Sequence, residues 1–200
     1  MTDHDYINLI KPGQPDAPLL VTLHGTGGDE NQFFSFAGQL RPDATILSPR
    51  GDVSEHGAAR FFRRTGEGVY DMADLARGTQ KLAAFIRQAA TSAGASEVFG
   101  LGFSNGANIL ANMLVEVPDL FDRAALLHPL IPFAPKPAPG LSGRQVLITA
   151  GERDPICPTP LTIALADYMK TQGAVTRLVW HNGGHDIRDN EIEAMRALFA

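Results

Sequence analysis

The chain has 200 residues, 44% of them hydrophobic and 20% charged, with a formal net charge of −5. That length suits about one domain, read here as spanning 1–200, and the composition is that of an ordinary globular protein. Lys and Arg are scattered, with Arg60, Arg63 and Arg64 as the densest basic spot; this argues against a nucleic-acid footprint. A lone cysteine, Cys157, forms no internal disulfide, and no apolar run approaches the roughly 18 residues of a bilayer span. The N-terminal stretch MTDHDYINLI lacks the basic start and apolar core of a signal peptide, so the expectation is a cytoplasmic protein.

In chain order, short apolar runs alternate with longer helical patterns. The runs are Leu19 to Leu23, Thr45 to Leu47, Glu97 to Phe103, Ala124 to Leu127, Gln145 to Thr149 and Val175 to Trp180. They show little polar alternation, as expected of strands covered on both faces of a parallel sheet. Between them, Asp71 to Ala90 places Met72, Leu75, Thr79, Leu82 and Ile86 at three- and four-residue steps, the spacing of one buried helical stripe. A helix is predicted over Asn105 to Val117. Thr159 is predicted as the N-cap of another, with Pro160 in its first turn and Gly173 as its stop. A last helix from about Asp189 would bury Ile192, Met195 and Phe199. The pattern predicts a three-layer α/β fold, mostly parallel, with helices on both faces. The proline-rich stretch Pro129 to Pro139 can be neither regular helix nor central strand; it is expected to cross the active edge as a loop.

Gly102-Phe103-Ser104-Asn105-Gly106 matches G-x-S-x-G between an apolar strand and an apolar helix, the setting in which a serine is presented on a strained turn. Glycine is needed where neighbouring chain approaches without room for a Cβ. A serine hydroxyl needs an adjacent base. On such an elbow the partners follow in the order serine, acid, histidine, each after a strand. His185, after Gly183-Gly184, is the candidate base, and Asp154, in Gly151-Glu152-Arg153-Asp154-Pro155, the candidate acid. His181 and Glu152 are their rivals. His181 and His185 also raise a metal pair, but they lie on a glycine-rich loop and lack the helical spacing of a metal motif. His24 is expected to have a structural hydrogen-bonding role, and His128 to line the pocket. The glycine-rich segment after the first strong strand, His24 to Gly28, can turn amides toward a developing oxyanion. The N–H groups of Thr26 and Asn105 are assigned as its donors.

The ordered segments HGTGGDE, SPRG, RFFRR, GFSNGAN, GERDPICP and GGHD resemble the carboxylesterase/phospholipase family of small α/β-hydrolases, related to acyl-protein thioesterases and dienelactone hydrolases. The resemblance covers nearly the whole chain. It implies the α/β-hydrolase fold without a large lid, esterase or thioesterase activity without a cofactor, Ser104, Asp154 and His185 as the triad, and Thr26 and Asn105 at the oxyanion. Thioesterases of that group usually carry Gln where this chain has Asn105, so a small ester is expected rather than a lipidated protein. Phe33, Phe34, Phe61, Phe62, Phe103, Ile131 and Phe133 are candidates for an apolar pocket rim. Arg60 and Arg64 (with Arg63) are candidates for gripping a substrate carboxylate. Dienelactone or carbon–carbon hydrolysis on the same triad, and a non-catalytic binding role, are the alternatives. The partner expected is a small-molecule ester; a homodimer is compatible with the sequence, and no metal or cofactor is expected.

Overall fold

The structure is a computed structural model that describes residues 5–200; residues 1–4 of the N-terminal stretch lie outside it. Its centre is a seven-stranded sheet in the order β1-β3-β2-β8-β9-β10-β11. The strands are β1 (Asn8–Lys11), β2 (Leu19–Leu23), β3 (Thr45–Pro49), β8 (Val98–Phe103), β9 (Arg123–Leu127), β10 (Gln145–Gly151) and β11 (Val175–His181). All pairs are parallel except β1 with β3. Strands β4 (Val53–Glu55) with β5 (Ala58–Arg60), and β6 (Arg64–Gly66) with β7 (Val69–Tyr70), form two small antiparallel ribbons.

Helices cover both faces, because successive residues of each central strand point to opposite sides. Leu19, Val21, Ala124, Leu126, Val146 and Ile148 join one core cluster; Leu20, Ala125, Leu127 and Leu147 join the other. The first cluster is closed by α2 (Met72–Ala93), α3 (Asn105–Glu116) and α4 (Thr159–Thr171), through residues such as Leu82, Leu110 and Met169. The second is closed by α1 (Phe34–Leu40) and α5 (Asp189–Phe199), through Ala37, Met195 and Phe199. Burying a side chain such as Phe199 contributes about 2–3 kcal/mol.

The predicted elements recur with their bounds moved by a few residues, and three differences have physical causes. The helix predicted to be capped by Thr159 instead has Pro158 at the cap and Thr159 inside its first turn. Strand β11 is an edge strand, half-exposed along its length, and not a strand covered on both faces. The four ribbon strands between β3 and α2 went unread because two- and three-residue strands carry no periodicity.

The chain runs from β2 outward to β3 and then returns through α2 to lay β8 on the other side of β2. From β8 it continues the opposite way. This reversal opens a crevice at the carboxyl ends of β2 and β8, where ligands bind in open α/β sheets.

Candidate active site

Ser104 occupies that crevice. It joins β8 directly to α3 with φ 51° and ψ −116°, a backbone conformation costly for any residue with a Cβ. The surroundings over-determine it: Ser104 N–H donates to Leu127 O at 2.9 Å, and Asn108 N–H donates to Ser104 O at 2.9 Å. At Gly102 a Cβ would come within 2.6 Å of the carbonyl oxygen of Gly106. The turn is therefore as tight as the motif requires.

The loop after β11 carries His185 to the serine. His185 Nε2 lies 2.9 Å from Ser104 Oγ, and its Nδ1 lies 2.7 Å from Asp154 Oδ2. Asp154 stands on the loop after β10, its carboxylate wholly buried. Its other oxygen accepts the N–H groups of Ile156 at 2.8 Å and Cys157 at 3.0 Å. Burial alone would raise this carboxyl. Hydrogen bonds from His128, His185 and the two amides outweigh burial and hold it below the usual carboxylate range. Serine, imidazole and carboxylate thus form one continuous hydrogen-bonded chain.

Thr26 and Asn105, the residues assigned as oxyanion donors, line one cavity with the serine. In the loop after β2, Gly25 N–H donates to Gln32 Oε1, Gly27 N–H to Ala59 O and Gly28 N–H to Gly25 O. Thr26 N–H is left without a partner among the described residues. Asn105 is the first residue of α3, so its N–H has no intrahelical acceptor and carries the positive end of the helix dipole. Several of the sequence segments noted above interlock to hold this loop. His24 Nε2 accepts Gly51 N–H at 2.9 Å, Arg50 grips Glu30 through two nitrogens at 2.5 and 2.6 Å, and Arg60 donates to Thr26 Oγ1 at 2.6 Å. Phe61 N–H donates to Asn105 Oδ1 at 2.9 Å. His24 accepts through Nε2, so its Nδ1 proton faces Gly25 O at 2.7 Å; burial lowers its proton affinity. Its role is structural, as expected.

A cavity of about 300 Å³ opens over Ser104, lined by Thr26, Asn105 and His185 together with Gln32, Arg60, Arg64, Glu67, Tyr70, Phe103, Asn108, Leu130 and Ile156. Of the apolar residues expected at its rim, only Phe103 is there. Phe33, Phe61, Phe62 and Ile131 are buried in the core instead, and Phe34 and Phe133 pack against it. Large apolar side chains gain more from burial than a polar crevice offers. The two ribbons form one wall. There Glu55 pairs with both Arg60, at 3.1 Å, and Arg64, at 2.9 Å. Arg60 is only 4% exposed, whereas Arg63 turns away to Asp74 at 3.0 Å. The proline-rich stretch reaches the cavity only through Leu130, whose carbonyl accepts the Tyr70 hydroxyl at 2.5 Å. The Asn105 side-chain Nδ2 is buried with no hydrogen-bond partner among the described residues.

His128 and His181 are not in the cavity. His128 is wholly buried behind Asp154, with Nδ1 2.9 Å from Asp154 Oδ2, and His181 stands behind it, Nε2 to Nε2, at 3.4 Å. With Glu191 they offer three ligand atoms close together. The donor chemistry does not suit a cation: His181 Nδ1 accepts Gly183 N–H at 2.9 Å, so its Nε2 carries the proton and has no lone pair to give. His181 and His185, which the sequence raised and set aside as a metal pair, do not share such a group among the described residues. Glu191 went unread as a site residue. Its only signal, a glutamate three residues after Arg188, reads as an ordinary helix start.

No family model matches the chain. A relative named as a hydrolase, MhqD of Bacillus subtilis (strain 168), is 38% identical over 191 residues, covering 94% of this chain and 95% of its own. Among solved structures, the protein Atu2452 of Agrobacterium tumefaciens C58, described as of unknown function, is 61% identical with a TM-score of 0.92, covering 98% of this chain and 97% of that one. The Bacillus cereus carboxylesterase is 33% identical with a TM-score of 0.93, covering 99% of this chain and 95% of that one.

Proposed function

This chain belongs to the carboxylesterase/phospholipase-type α/β-hydrolases and is an esterase-like hydrolase, and from that premise we propose that it cleaves small carboxylic esters through an acyl-enzyme on Ser104. The observation that carries this reading is the unbroken chain from Ser104 Oγ through His185 to Asp154, with steps of 2.9 and 2.7 Å.

Ser104 Oγ attacks the ester carbonyl while its proton passes to His185 Nε2. Asp154 fixes the imidazole tautomer and balances the imidazolium that forms. The carbonyl oxygen becomes an oxyanion held by the N–H groups of Thr26 and Asn105, each donor worth about 3 kcal/mol in the transition state. His185 returns the proton to the leaving alkoxide oxygen, and an acyl-Ser104 ester remains. A water molecule, deprotonated by His185, then releases the acid.

The cavity size favours a short acyl group, and the guanidinium groups of Arg60 and Arg64 favour one that bears a carboxylate. Lactone ring opening would use the same steps with the leaving oxygen still tethered. No helix among the described residues is long and apolar enough to cross a membrane, and Cys157 is a free thiol; a reducing, cytoplasmic setting suits such a protein.

Labelling with a fluorophosphonate, alongside hydrolysis of p-nitrophenyl acetate, p-nitrophenyl hemisuccinate and a lactone, tests the proposal. The expected result is labelling and hydrolysis by the natural protein and neither by Ser104→Ala. Undiminished labelling of Ser104→Ala overturns it.

A further inference from the structure

Behind the serine and its histidine lies a second group of titratable side chains that acyl transfer does not use. His128 follows β9 in a left-handed backbone conformation, φ 51°, and each of its ring nitrogens faces a carboxylate. Nδ1 lies 2.9 Å from Asp154 Oδ2, and Nε2 lies 3.2 Å from Glu191 Oε1. All three side chains have no solvent exposure. Glu191 also accepts the Thr149 hydroxyl, and Arg188 N–H at 2.6 Å.

Two buried carboxylates need a countercharge. Among the described residues only histidines lie within ion-pair distance of either one. The nearby Arg188 guanidinium pairs with Asp186 at 2.6 Å. His181 is neutral, with its one proton on Nε2, because its Nδ1 accepts from Gly183. His185 must keep Nε2 unprotonated to act as a base. That leaves His128. Protonated on both nitrogens, it donates to each carboxylate, while the His181 Nε2 proton, 3.4 Å from His128 Nε2, turns to Glu191 Oε2 at 3.3 Å; neutral, His128 would turn a lone pair onto one of the carboxylates.

We propose that His128 rests as a buried imidazolium bridging Asp154 and Glu191, and that it acts as a positioning residue for the Ser104–His185–Asp154 chain. Its protonation state stands on geometry alone, while its effect on turnover rests on the function proposed above. His128 and His185 both present Nδ1 to the same oxygen of Asp154, with ring centroids 5.1 Å apart. A fixed positive charge at that distance opposes a second proton on His185 and leaves the base free at lower pH. The other titratable groups facing this pair are Cys157, with Sγ 3.9 Å from His185 Nδ1 and its thiol pushed up by burial, and Arg60, Arg64 and Glu67 across the cavity.

Nitrogen NMR of the intact protein labelled with ¹⁵N-histidine reads the protonation state without substrate. Both ring nitrogens of His128 are expected to be protonated at neutral pH, above the ordinary histidine value; an unprotonated one at neutral pH overturns the proposal. The pH dependence of kcat/KM on p-nitrophenyl acetate reads the positioning role. His128→Asn keeps a donor but no charge, and is expected to move the acid limb up by about one pH unit, with the plateau falling less than about tenfold. Glu191→Gln, which removes the second anchor, should move the limb in the same direction. A lower plateau with an unmoved limb in both variants marks a merely structural role and overturns the positioning claim. If the natural protein hydrolyses no ester, the proposed function fails, and the NMR result alone decides the charge on His128.

Discussion

Gly106 is pressed against the end of β2 so closely that a Cβ there would fall inside contact with the Leu23 carbonyl oxygen and 2.6 Å from that of His24. Neither neighbour can yield, because both belong to the strand and loop that carry Thr26. Gly106→Ala should therefore push α3 away from β2 and separate the two amide donors. The expected loss is about 1–3 kcal/mol of stability, or roughly 3–10 °C in Tm, with a fall in kcat. Thermal unfolding and steady-state kinetics check both; an unchanged Tm would show that the elbow has slack.

Asp154 accepts four donors: the Nδ1 groups of His128 and His185 and the amides of Ile156 and Cys157. Asp154→Asn must set its own NH₂ against some of them. It should lower kcat about 10⁴-fold through the wrong His185 tautomer and cost about 1–3 kcal/mol for the mispaired buried group. Ser104→Ala should lower kcat comparably while leaving Tm nearly unchanged, since among the described residues the hydroxyl has no hydrogen-bond partner other than His185. A Tm loss in Ser104→Ala as large as that in Asp154→Asn argues against this division.

Stability should peak between the carboxylate and histidine ranges. Burial would raise the Glu191 carboxyl, but His128, Thr149 and Arg188 N–H outweigh it and hold it low, as Asp154 is held. Both carboxylates stabilise the fold above their ordinary value of about 4, and that contribution is lost as pH falls through their depressed folded values. Burial would lower His128, but Glu191 and Asp154 outweigh it and hold it high. Its contribution is complete below about pH 6.5 and is lost as pH rises through the raised folded value. Urea midpoints measured across this range should fall on both sides of the window. A midpoint that climbs steadily toward alkaline pH contradicts the charged bridge.

Arg64 shares Glu55 with Arg60 but is more exposed, 32% against 4%, so its removal leaves Thr26 and its loop in place. Arg64→Gln should lower kcat/KM for p-nitrophenyl hemisuccinate by about tenfold, the worth of one charge-assisted contact. Hydrolysis of the uncharged butyrate ester should change less than about twofold. Equal losses on both esters would remove the carboxylate from the substrate.

The elements that carry the reactive groups were legible because their signals are local. The apolar runs of β2, β8, β9 and β10 report burial on two faces. The glycines around Ser104 report a turn without space for Cβ, and Gly183-Gly184 marks the loop that delivers His185. Those rules act within a few residues, so they survive without knowledge of the rest of the chain. The interior alternatives to them, such as His181 as the base, differ from His185 by only four positions and fit the same chain order; only the place of His185 after Gly183-Gly184, beyond the strand end, favours it.

What surrounds that chain of groups was decided in three dimensions. Phe61 and Phe62 read as pocket rim yet fill the core, while Tyr70 and Gln32 line the cavity without any motif to announce them. His128 comes from the end of β9, His181 from β11 and Glu191 from α5, and only the packing of α5 under the sheet brings them to Asp154. A side chain's partners depend on which faces of distant elements meet, and no spacing along the chain encodes that. The sequence by itself therefore determined which backbone could present a serine, an acid and a histidine at one sheet edge. The tertiary structure decided the walls of the cavity and the buried charges behind the acid, because burial and electrostatic balance are properties of contacts between segments far apart in sequence.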